Sequence, residues 1–256
     1  MSKNKKPKIA FFDFTCCEGC QLTVIDTLQT HPELLDVVEI VEFREAMTET
    51  NGRYDVAFIE GSCTRASDEA RLQDIRNRAG VVIALGACAH LGGVNAIRNR
   101  QELEQVRAYV YGEHKEWFDT YEPRAIEKVI PVDGVIPGCP IDSLEFLRVV
   151  KGLLQGRLLA PPTYPVCMEC KLNGTICLYQ RGEVCLGPVT RAGCRAVCPG
   201  YGSSCIGCRG LIPRANIAAM RQVLAEHGVD EAEIDSRFTL FLTNELDELT
   251  QEAARV

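Results

Sequence analysis

The stretch Lys8-Ile-Ala-Phe-Phe-Asp-Phe14 is a short and almost continuous apolar run. Such a run is typical of a strand that is buried on both faces of a parallel sheet. Further candidate strands follow at residues 37–43, 55–61, 81–87 and 129–136. A polar segment at residues 67–79 has the pattern of a helix between the third and fourth strands. Strands therefore alternate with helices along the first half of the chain.

This alternation predicts an α/β fold, with a doubly wound parallel sheet of the flavodoxin-like type. In such sheets, sites form outside the carboxyl ends of the strands. The cysteines that come just after predicted strands are Cys16, Cys17, Cys20, Cys63, Cys88 and Cys139. We therefore expect these six thiols to converge on one edge of the sheet.

A capping-box pattern at Asp142 and Glu145 predicts the start of a further helix. We expect this helix to turn four apolar side chains toward the core: Leu144, Leu147, Val150 and Leu154.

The predicted domains follow from changes in composition. Residues 1–155 form the sheet domain, and the three prolines of residues 156–166 indicate a linker. Residues 167–212 are rich in glycine and cysteine and have little periodicity, so metal binding would have to supply their free energy of folding. Residues 213–256 are predicted to be helical and contain an acidic stretch near the end.

Overall composition excludes some classes of function. The chain has 256 residues and a formal net charge of −7, and no basic stripe indicates nucleic-acid binding. No apolar signal segment and no run of membrane-spanning length are present, so we expect a cytoplasmic protein without membrane insertion. In a reducing compartment, cysteine-rich spacing favours metal or redox chemistry over disulfides.

Eight cysteines lie in one run: Cys167, Cys170, Cys177, Cys185, Cys194, Cys198, Cys205 and Cys208. Eight thiols make two sets of four, and iron–sulfur clusters and structural zinc sites both require four ligands. Zinc sites usually show two Cys-x2-Cys pairs per ion, whereas this run has one such pair at each end. The spacing therefore favours two iron–sulfur clusters over two zinc sites, and disulfides are the least favoured interpretation.

The cysteines at the sheet edge are less distinctive by spacing alone. The pair Cys17-x2-Cys20 also fits a redox dithiol after a first strand. Three features count against a dithiol: the neighbouring Cys16, the turn around Cys88, and the Pro137-Gly-Cys139-Pro turn. Glycines beside a ligand let the backbone approach a cluster and donate hydrogen bonds to its sulfurs.

Taken together, the motifs resemble the small subunit of nickel–iron hydrogenases. They are Cys17-Glu-Gly-Cys20, Glu60-Gly-Ser, Gly86-Ala-Cys88-Ala with Gly92-Gly93, Pro137-Gly-Cys139-Pro, Cys185-Leu-Gly-Pro-Val-Thr-Arg-Ala-Gly-Cys194 and Cys205-Ile-Gly-Cys208. The cytoplasmic members are closer than the exported ones, in keeping with the lack of a signal segment.

The resemblance implies three 4Fe–4S clusters in a row. The implied proximal ligands are Cys17, Cys20, Cys88 and Cys139. The implied medial ligands are Cys194, Cys198, Cys205 and Cys208. The implied distal ligands are Cys167, Cys170, Cys177 and Cys185.

Two positions depart from the exported pattern. Cys167 stands where the exported enzymes have a histidine, and Cys198 offers a fourth thiolate where many of them have a proline. We therefore predict a medial 4Fe–4S centre with four cysteine ligands. Cys16 and Cys63 are expected to be small buried thiols near the proximal centre. Glu18 and His90 lie beside ligands and are expected to hydrogen-bond their own loops.

The implied function is electron transfer in a cytoplasmic nickel–iron hydrogenase. Reversible H₂ oxidation would occur on a separate large subunit, so this chain is expected to hold neither nickel nor catalytic residues. A flavin- or iron–sulfur-containing partner would accept the electrons, and it could be NAD(P)-linked or electron-bifurcating. The alternatives are a complex I-like quinone-reductase iron–sulfur subunit, which Cys16-Cys17 favours slightly, and a zinc scaffold without redox function.

Overall fold

The computed structural model describes residues 5–47 and 52–253. The other positions of the predicted first and last domains, 1–4, 48–51 and 254–256, lie outside the described residues. Five parallel strands form one sheet in the order β2-β1-β3-β4-β5. They are β1 (Lys8–Asp13), β2 (Glu39–Phe43), β3 (Tyr54–Glu60), β4 (Ala79–Leu85) and β5 (Gly134–Ile136). This is the flavodoxin order, so the predicted fold class is confirmed.

The helices surround the sheet and make up most of the C-terminal part. They are α1 (Gly19–Thr30), α2 (Leu34–Val37), α3 (Ala66–Arg78), α4 (Gly86–Leu91), α5 (Leu103–Tyr111), α6 (Ser143–Leu154), α7 (Val166–Leu172), α8 (Val197–Gly200), α9 (Ile217–Glu226) and α10 (Glu231–Ala253). Short 3₁₀ segments lie at Gly93–Arg100, Gly112–Trp117, Ile126–Lys128 and Leu178–Arg181. None of the helices in the described ranges is long and apolar enough to cross a membrane.

The sheet is buried on both faces, as the run at residues 8–14 predicts. Successive side chains of a strand point to opposite faces. Phe11 accordingly packs with α1 and α6 on one side, and Phe12 packs with α3 and the 3₁₀ segment near Ile126 on the other.

All five strands differ from their predicted bounds by one residue or more, and two of the differences have a clear local cause. β4 ends at Leu85, because Gly86 adopts a left-handed conformation (φ 84°) and begins α4. β5 has only three residues, because the chain before it forms the 3₁₀ turn at Ile126–Lys128. The earlier end of β4 places Gly86 and Ala87 between the strand and Cys88.

The start of α6 is as predicted, but its buried face is not. The Oδ1 atom of Asp142 accepts a hydrogen bond from the backbone N–H of Glu145 at 2.9 Å. Leu147 and Val150 are buried, whereas Leu144 and Leu154 are exposed, so the prediction was wrong for these two. The helix instead turns Phe146 and Val149 inward with Leu147 and Val150.

The C-terminal helices pack against the cysteine-rich segment and the sheet domain. Val184, Leu186 and Val189 form one core with side chains from α9 and α10. Asn244 of α10 accepts a hydrogen bond from the side chain of Asn99 at 2.8 Å, which holds this helix against the 3₁₀ segment after α4. α10 therefore contacts both the cysteine-rich segment and the sheet domain.

Candidate metal centres

The structure brings Cys17, Cys20, Cys88 and Cys139 together at the carboxyl edge of the sheet. Cys17 lies in the loop after β1, Cys20 in the first turn of α1, Cys88 in α4, and Cys139 after β5. Burial, together with the neighbouring thiols Cys139 and Cys17, raises the pKa of Cys88 to about 12. Burial and the carboxyl of Glu60 raise the pKa of Cys20, to which Cys139 also contributes. Four thiols that lie close to one another are a suitable donor set for a soft metal centre.

Glycine makes this close approach possible. Gly86 has a φ of 84°, and a Cβ at this position would overlap the Sγ of Cys20. A Cβ on Gly93 would lie 2.9 Å from the backbone of Cys88. These two positions have room for a backbone but not for a side chain, which explains the glycines that flank Cys88.

The buried carboxyl of Glu60 holds the backbone next to the proximal thiols in place. Glu60 ends β3 and is almost fully buried. Its oxygens accept hydrogen bonds from the backbone N–H groups of Cys20 at 3.1 Å and Gln21 at 3.0 Å. Burial raises the pKa of Glu60. Glu60 therefore fixes the first turn of α1, where Cys20 lies.

The two remaining cysteines of the sheet edge have different surroundings. Burial, followed by Glu60, raises the pKa of Cys16 to about 12, and Cys88 contributes, so Cys16 adjoins the proximal thiols. Cys63 is fully buried, and its Sγ lies 3.1 Å from the hydroxyl of Tyr121. The charged groups that act on Cys63 belong to the 121–124 loop and to α3, not to the proximal thiols.

Glu18 and His90 lie beside the proximal thiols, as their positions in the sequence require. Glu18 has a left-handed backbone (φ 62°) immediately before α1. His90 is partly buried and its Nδ1 has no hydrogen-bond partner. Burial, with Arg191 and Arg209 nearby, lowers the pKa of His90 to about 4. The imidazole is therefore neutral near pH 7.

A second set of thiols surrounds a cavity of about 340 Å³ next to the first set. Its lining includes Cys194, Cys198, Cys205 and Cys208, together with Cys139. Burial raises the pKa of Cys208 to about 12, although a backbone hydrogen bond from Cys139 lowers it. Because Cys139 lines this cavity too, the proximal set and this second set adjoin.

The third set lies around α7 and the loop that follows it. Burial, together with the thiols Cys185, Cys170 and Cys177, raises the pKa of Cys167 to about 11. A Cβ on Gly187 would lie 3.3 Å from the Sγ of Cys185 and 3.4 Å from that of Cys167. The Cys185 Sγ accepts hydrogen bonds from the backbone N–H groups of Gly187 (3.4 Å) and Cys205 (3.3 Å).

One residue that sequence reasoning missed connects these sets. Arg209 follows Cys208, is fully buried and lines the 340 Å³ cavity. Its Nε donates to the carbonyl of Ala192 at 2.9 Å, and its Nη1 donates to the carbonyl of Pro137 at 2.5 Å. A lone arginine after a Cys-x2-Cys pair carries no sequence signal for such burial.

Thiolates are the donor groups of both zinc sites and iron–sulfur clusters. A zinc ion holds its thiolates about 2.3 Å from its centre. Within residues 5–47 and 52–253, no group of three or more Cys, His, Asp or Glu side chains is close enough to hold a single ion. An iron–sulfur core is larger and keeps its thiolates farther apart. Burial raises the pKa of most of these thiols, so binding of a cationic core would have to displace their protons.

Comparison with known proteins identifies the class. Residues 17–153 match the family described as "NADH ubiquinone oxidoreductase, 20 Kd subunit". The sulfhydrogenase 2 subunit delta of Pyrococcus furiosus is 38% identical over 226 residues, covering 88% of this chain and 94% of that protein. A vhu subunit of the F420-non-reducing hydrogenase of Methanocaldococcus jannaschii is 30% identical, covering 91% of this chain and 94% of that protein.

A solved hydrogenase structure also contains a chain with a similar fold. An NAD⁺-reducing [NiFe]-hydrogenase in the H₂-reduced state contains a chain that matches with a TM-score of 0.54 and 26% identity. The match covers 60% of this chain and 93% of that one. The protein is thus an iron–sulfur oxidoreductase component with a flavodoxin-like sheet. It belongs to the family of nickel–iron hydrogenase small subunits, which confirms the resemblance seen in the sequence.

Proposed function

We propose that this chain relays electrons from a hydrogen-activating large subunit through three 4Fe–4S clusters. Cys17, Cys20, Cys88 and Cys139 would hold the proximal cluster. Cys194, Cys198, Cys205 and Cys208 would hold the medial one, and Cys167, Cys170, Cys177 and Cys185 the distal one. One observation carries the proposal: the three thiol sets adjoin in this order. Cys139 lines the same cavity as the four proposed medial thiols, and the backbone N–H of Cys205 donates to the Sγ of Cys185.

In this function, the bound clusters supply one-electron transfer, and the chain supplies ligands and surroundings. Glu60 fixes the turn that presents Cys20. The N–H groups of Gly187 and Cys205 point at the Cys185 sulfur, where they would favour the more reduced, more negative state. The apolar core around Val166 and Leu178 excludes water from this sulfur. Neither nickel nor H₂ chemistry is assigned to this chain.

The names of the relatives support a multi-subunit assembly. One relative is subunit delta of the NAD-reducing hydrogenase HoxS of Cupriavidus necator, and others are subunits of F420-non-reducing hydrogenases. We therefore propose two kinds of partner: a nickel–iron large subunit and a flavin- or iron–sulfur-containing acceptor subunit, NAD(P)-linked or electron-bifurcating. We place the complex in the cytoplasm.

Iron and acid-labile sulfide on anaerobically purified protein test the number of clusters. Three clusters require about twelve irons per chain. A second candidate, a complex I-like quinone-reductase subunit, is favoured by the description of the matching family and would carry about four irons. Zinc in place of iron would contradict both. Copurification with a nickel-containing polypeptide and H₂-dependent reduction of the clusters would separate the hydrogenase from the quinone reductase.

A further inference from the structure

The buried guanidinium of Arg209 lies at the boundary between the proposed proximal and medial centres. Its Nη1 donates to the carbonyl of Pro137, in the turn that carries the proposed proximal ligand Cys139. Its Nε donates to the carbonyl of Ala192, two residues before the proposed medial ligand Cys194. The side chain is fully buried and lines the 340 Å³ cavity with the four proposed medial thiols. A permanent positive charge therefore lies beside the medial set, where water screens it little.

The backbone next to the medial set is shaped to admit this guanidinium. Gly193 has a φ of 118°, and a Cβ at this position would overlap the Nη2 of Arg209. Because Gly193 directly precedes Cys194, the guanidinium packs against the backbone that presents a proposed ligand. Burial raises the pKa of Cys194 and of Cys208, and the charge of Arg209 acts against burial at both thiols. The field of Arg209 thus reaches two of the four proposed medial ligands.

Two carboxylates lie close enough to oppose this charge. Glu145 pairs with the guanidinium, but it does not belong to the lining of the cavity, so it lies farther from the medial thiols than Arg209 does. Glu169 accepts hydrogen bonds from the backbone N–H groups of Gly193 at 2.9 Å and Ala196 at 3.0 Å. Its position in α7, beside the proposed distal ligand Cys170, lets it act on the distal set as well. Arg209 is therefore the buried charge that acts most selectively on the medial set.

We infer that Arg209 raises the reduction potential of the medial cluster, and that Glu145 holds the guanidinium in place and limits the rise. The inference rests on the proposed function. A cluster becomes one unit more negative when it accepts an electron, so a fixed cation beside it stabilises the reduced state. A higher medial potential would draw electrons away from the proximal centre, which is the direction of H₂ oxidation.

Redox titration followed by EPR on the anaerobically purified complex tests this inference. The main variant combines Arg209→Gln with Glu145→Gln, so that no buried charge is left unpaired. We expect the equilibrium constant of one of the three reduction steps to fall about tenfold, which is about 59 mV for a one-electron centre. Arg209→Lys keeps the charge and should stay near the wild-type potential. Glu145→Gln alone should move the same step upward, because the cation loses its counter-charge.

Arg195→Gln is the matched control for the charge of a buried arginine. Arg195 lines the same cavity, but its side chain is 59% exposed and pairs with Asp142 at 2.7 Å. Water screens such a charge, so its removal should shift every step less than the loss of Arg209 does. Equal shifts in Arg195→Gln and in the double variant would overturn the inference, because burial of the charge would then be irrelevant.

Other outcomes separate tuning of the potential from a purely structural role. Wild-type potentials with full iron in the double variant would reduce Arg209 to a structural residue and overturn the inference. Equal shifts of all three steps would do the same, because they would indicate a general change in packing. If the double variant loses iron, Glu145→Gln decides, and no rise of any step in that variant would overturn the inference. Fewer than three reduction steps in the wild type would instead defeat the proposed function itself.

Discussion

Arg209 and Glu145 form a buried ion pair through two parallel hydrogen bonds. The Nη1 of Arg209 lies 2.8 Å from Oε2 of Glu145, and its Nη2 lies 2.8 Å from Oε1. Both side chains are at least 95% buried. Because Arg209 follows Cys208 and Glu145 lies in the first turn of α6, the pair joins the cysteine-rich segment to the sheet domain.

Removing one partner of this pair should be costly. In Glu145→Gln, the Arg209 guanidinium stays buried without a counter-charge, and we expect a loss of about 3–5 kcal/mol in the free energy of unfolding. Urea denaturation of the cluster-loaded protein measures it. Arg195→Gln is the control, because Arg195 is largely exposed and its pair with Asp142 should contribute less than about 1 kcal/mol. Equal losses of unfolding free energy in the two variants would show that burial of the ion pair does not determine the size of the loss.

The proximal centre should require glycine at position 86, because a side chain there would overlap the Sγ of Cys20. In Gly86→Ala, the new methyl group would overlap the Cys20 Sγ, and we expect loss of about four irons per chain. Gly228→Ala is the control, because Gly228 also has a positive φ (82°) but nothing lies within 4 Å of its added Cβ. Both changes carry the same backbone strain of about 1 kcal/mol. Iron loss in both variants would implicate strain instead of overlap.

The sequence predicts the sheet and the meeting of the proximal cysteines for physical reasons. A run such as residues 8–14 has few alternatives to a buried parallel strand, and cysteines placed after parallel strands must share an edge. The helix start at Asp142 is equally local, because the cap and its N–H donor are three residues apart.

Other features depend on contacts between distant residues. Glu145 was predicted as part of a capping box, yet its carboxylate pairs with Arg209, 64 positions away. The buried face of α6 is set by what packs against it, and Leu144 lies just outside that face. Arg98 follows the same rule, because its hydrogen bond to the hydroxyl of Thr120 joins residues that are 22 positions apart.

Cys198 should decide the iron content of the medial centre. It lines the 340 Å³ cavity with the other three proposed medial ligands. We expect Cys198→Ala to lose about one iron per chain and to give the EPR signal of a three-iron centre under anaerobic preparation. Cys63→Ala is the control, since Cys63 contacts Tyr121 and should leave iron unchanged. Full iron in Cys198→Ala would remove Cys198 from the ligand set, and iron loss in Cys63→Ala would revise the proximal set.

Removal of the clusters should unfold the cysteine-rich segment but not the sheet. The core of that segment is small and consists partly of cysteines: Val166, Leu178, Cys185, Ala196 and Cys205. Without bound metal it has too little apolar area to fold by itself. After treatment with a chelator and an oxidant, we expect hydrogen exchange to accelerate across residues 167–212 while β1 and β3 stay protected. Protection that persists in residues 167–212 would contradict a structural role for the clusters.

The dependence of stability on pH should reveal the partly buried carboxyl of Glu245. Burial raises the pKa of Glu245, the Leu211 N–H and Arg191 lower it, and Glu248 and Glu127 raise it. A folded-state pKa above the reference value of 4.5 means that the folded protein keeps a proton that the unfolded chain releases. The free energy of unfolding should therefore fall as the pH rises from about 4.5 through the folded-state pKa, by at most about 1.4 kcal/mol per pH unit.

Glu245→Gln should abolish this part of the pH dependence. The amide oxygen can still accept the Leu211 N–H, which lies 3.0 Å from the Oε2 of Glu245. The amide does not ionise, so it carries no desolvation cost that grows with pH. We expect the difference in unfolding free energy between variant and wild type to increase across the window and to level off above it. Urea midpoints at several pH values, with iron content checked at each, measure the difference. Parallel curves for the two proteins would mean that Glu245 titrates at its ordinary pKa and that the Leu211 N–H and Arg191 offset its burial.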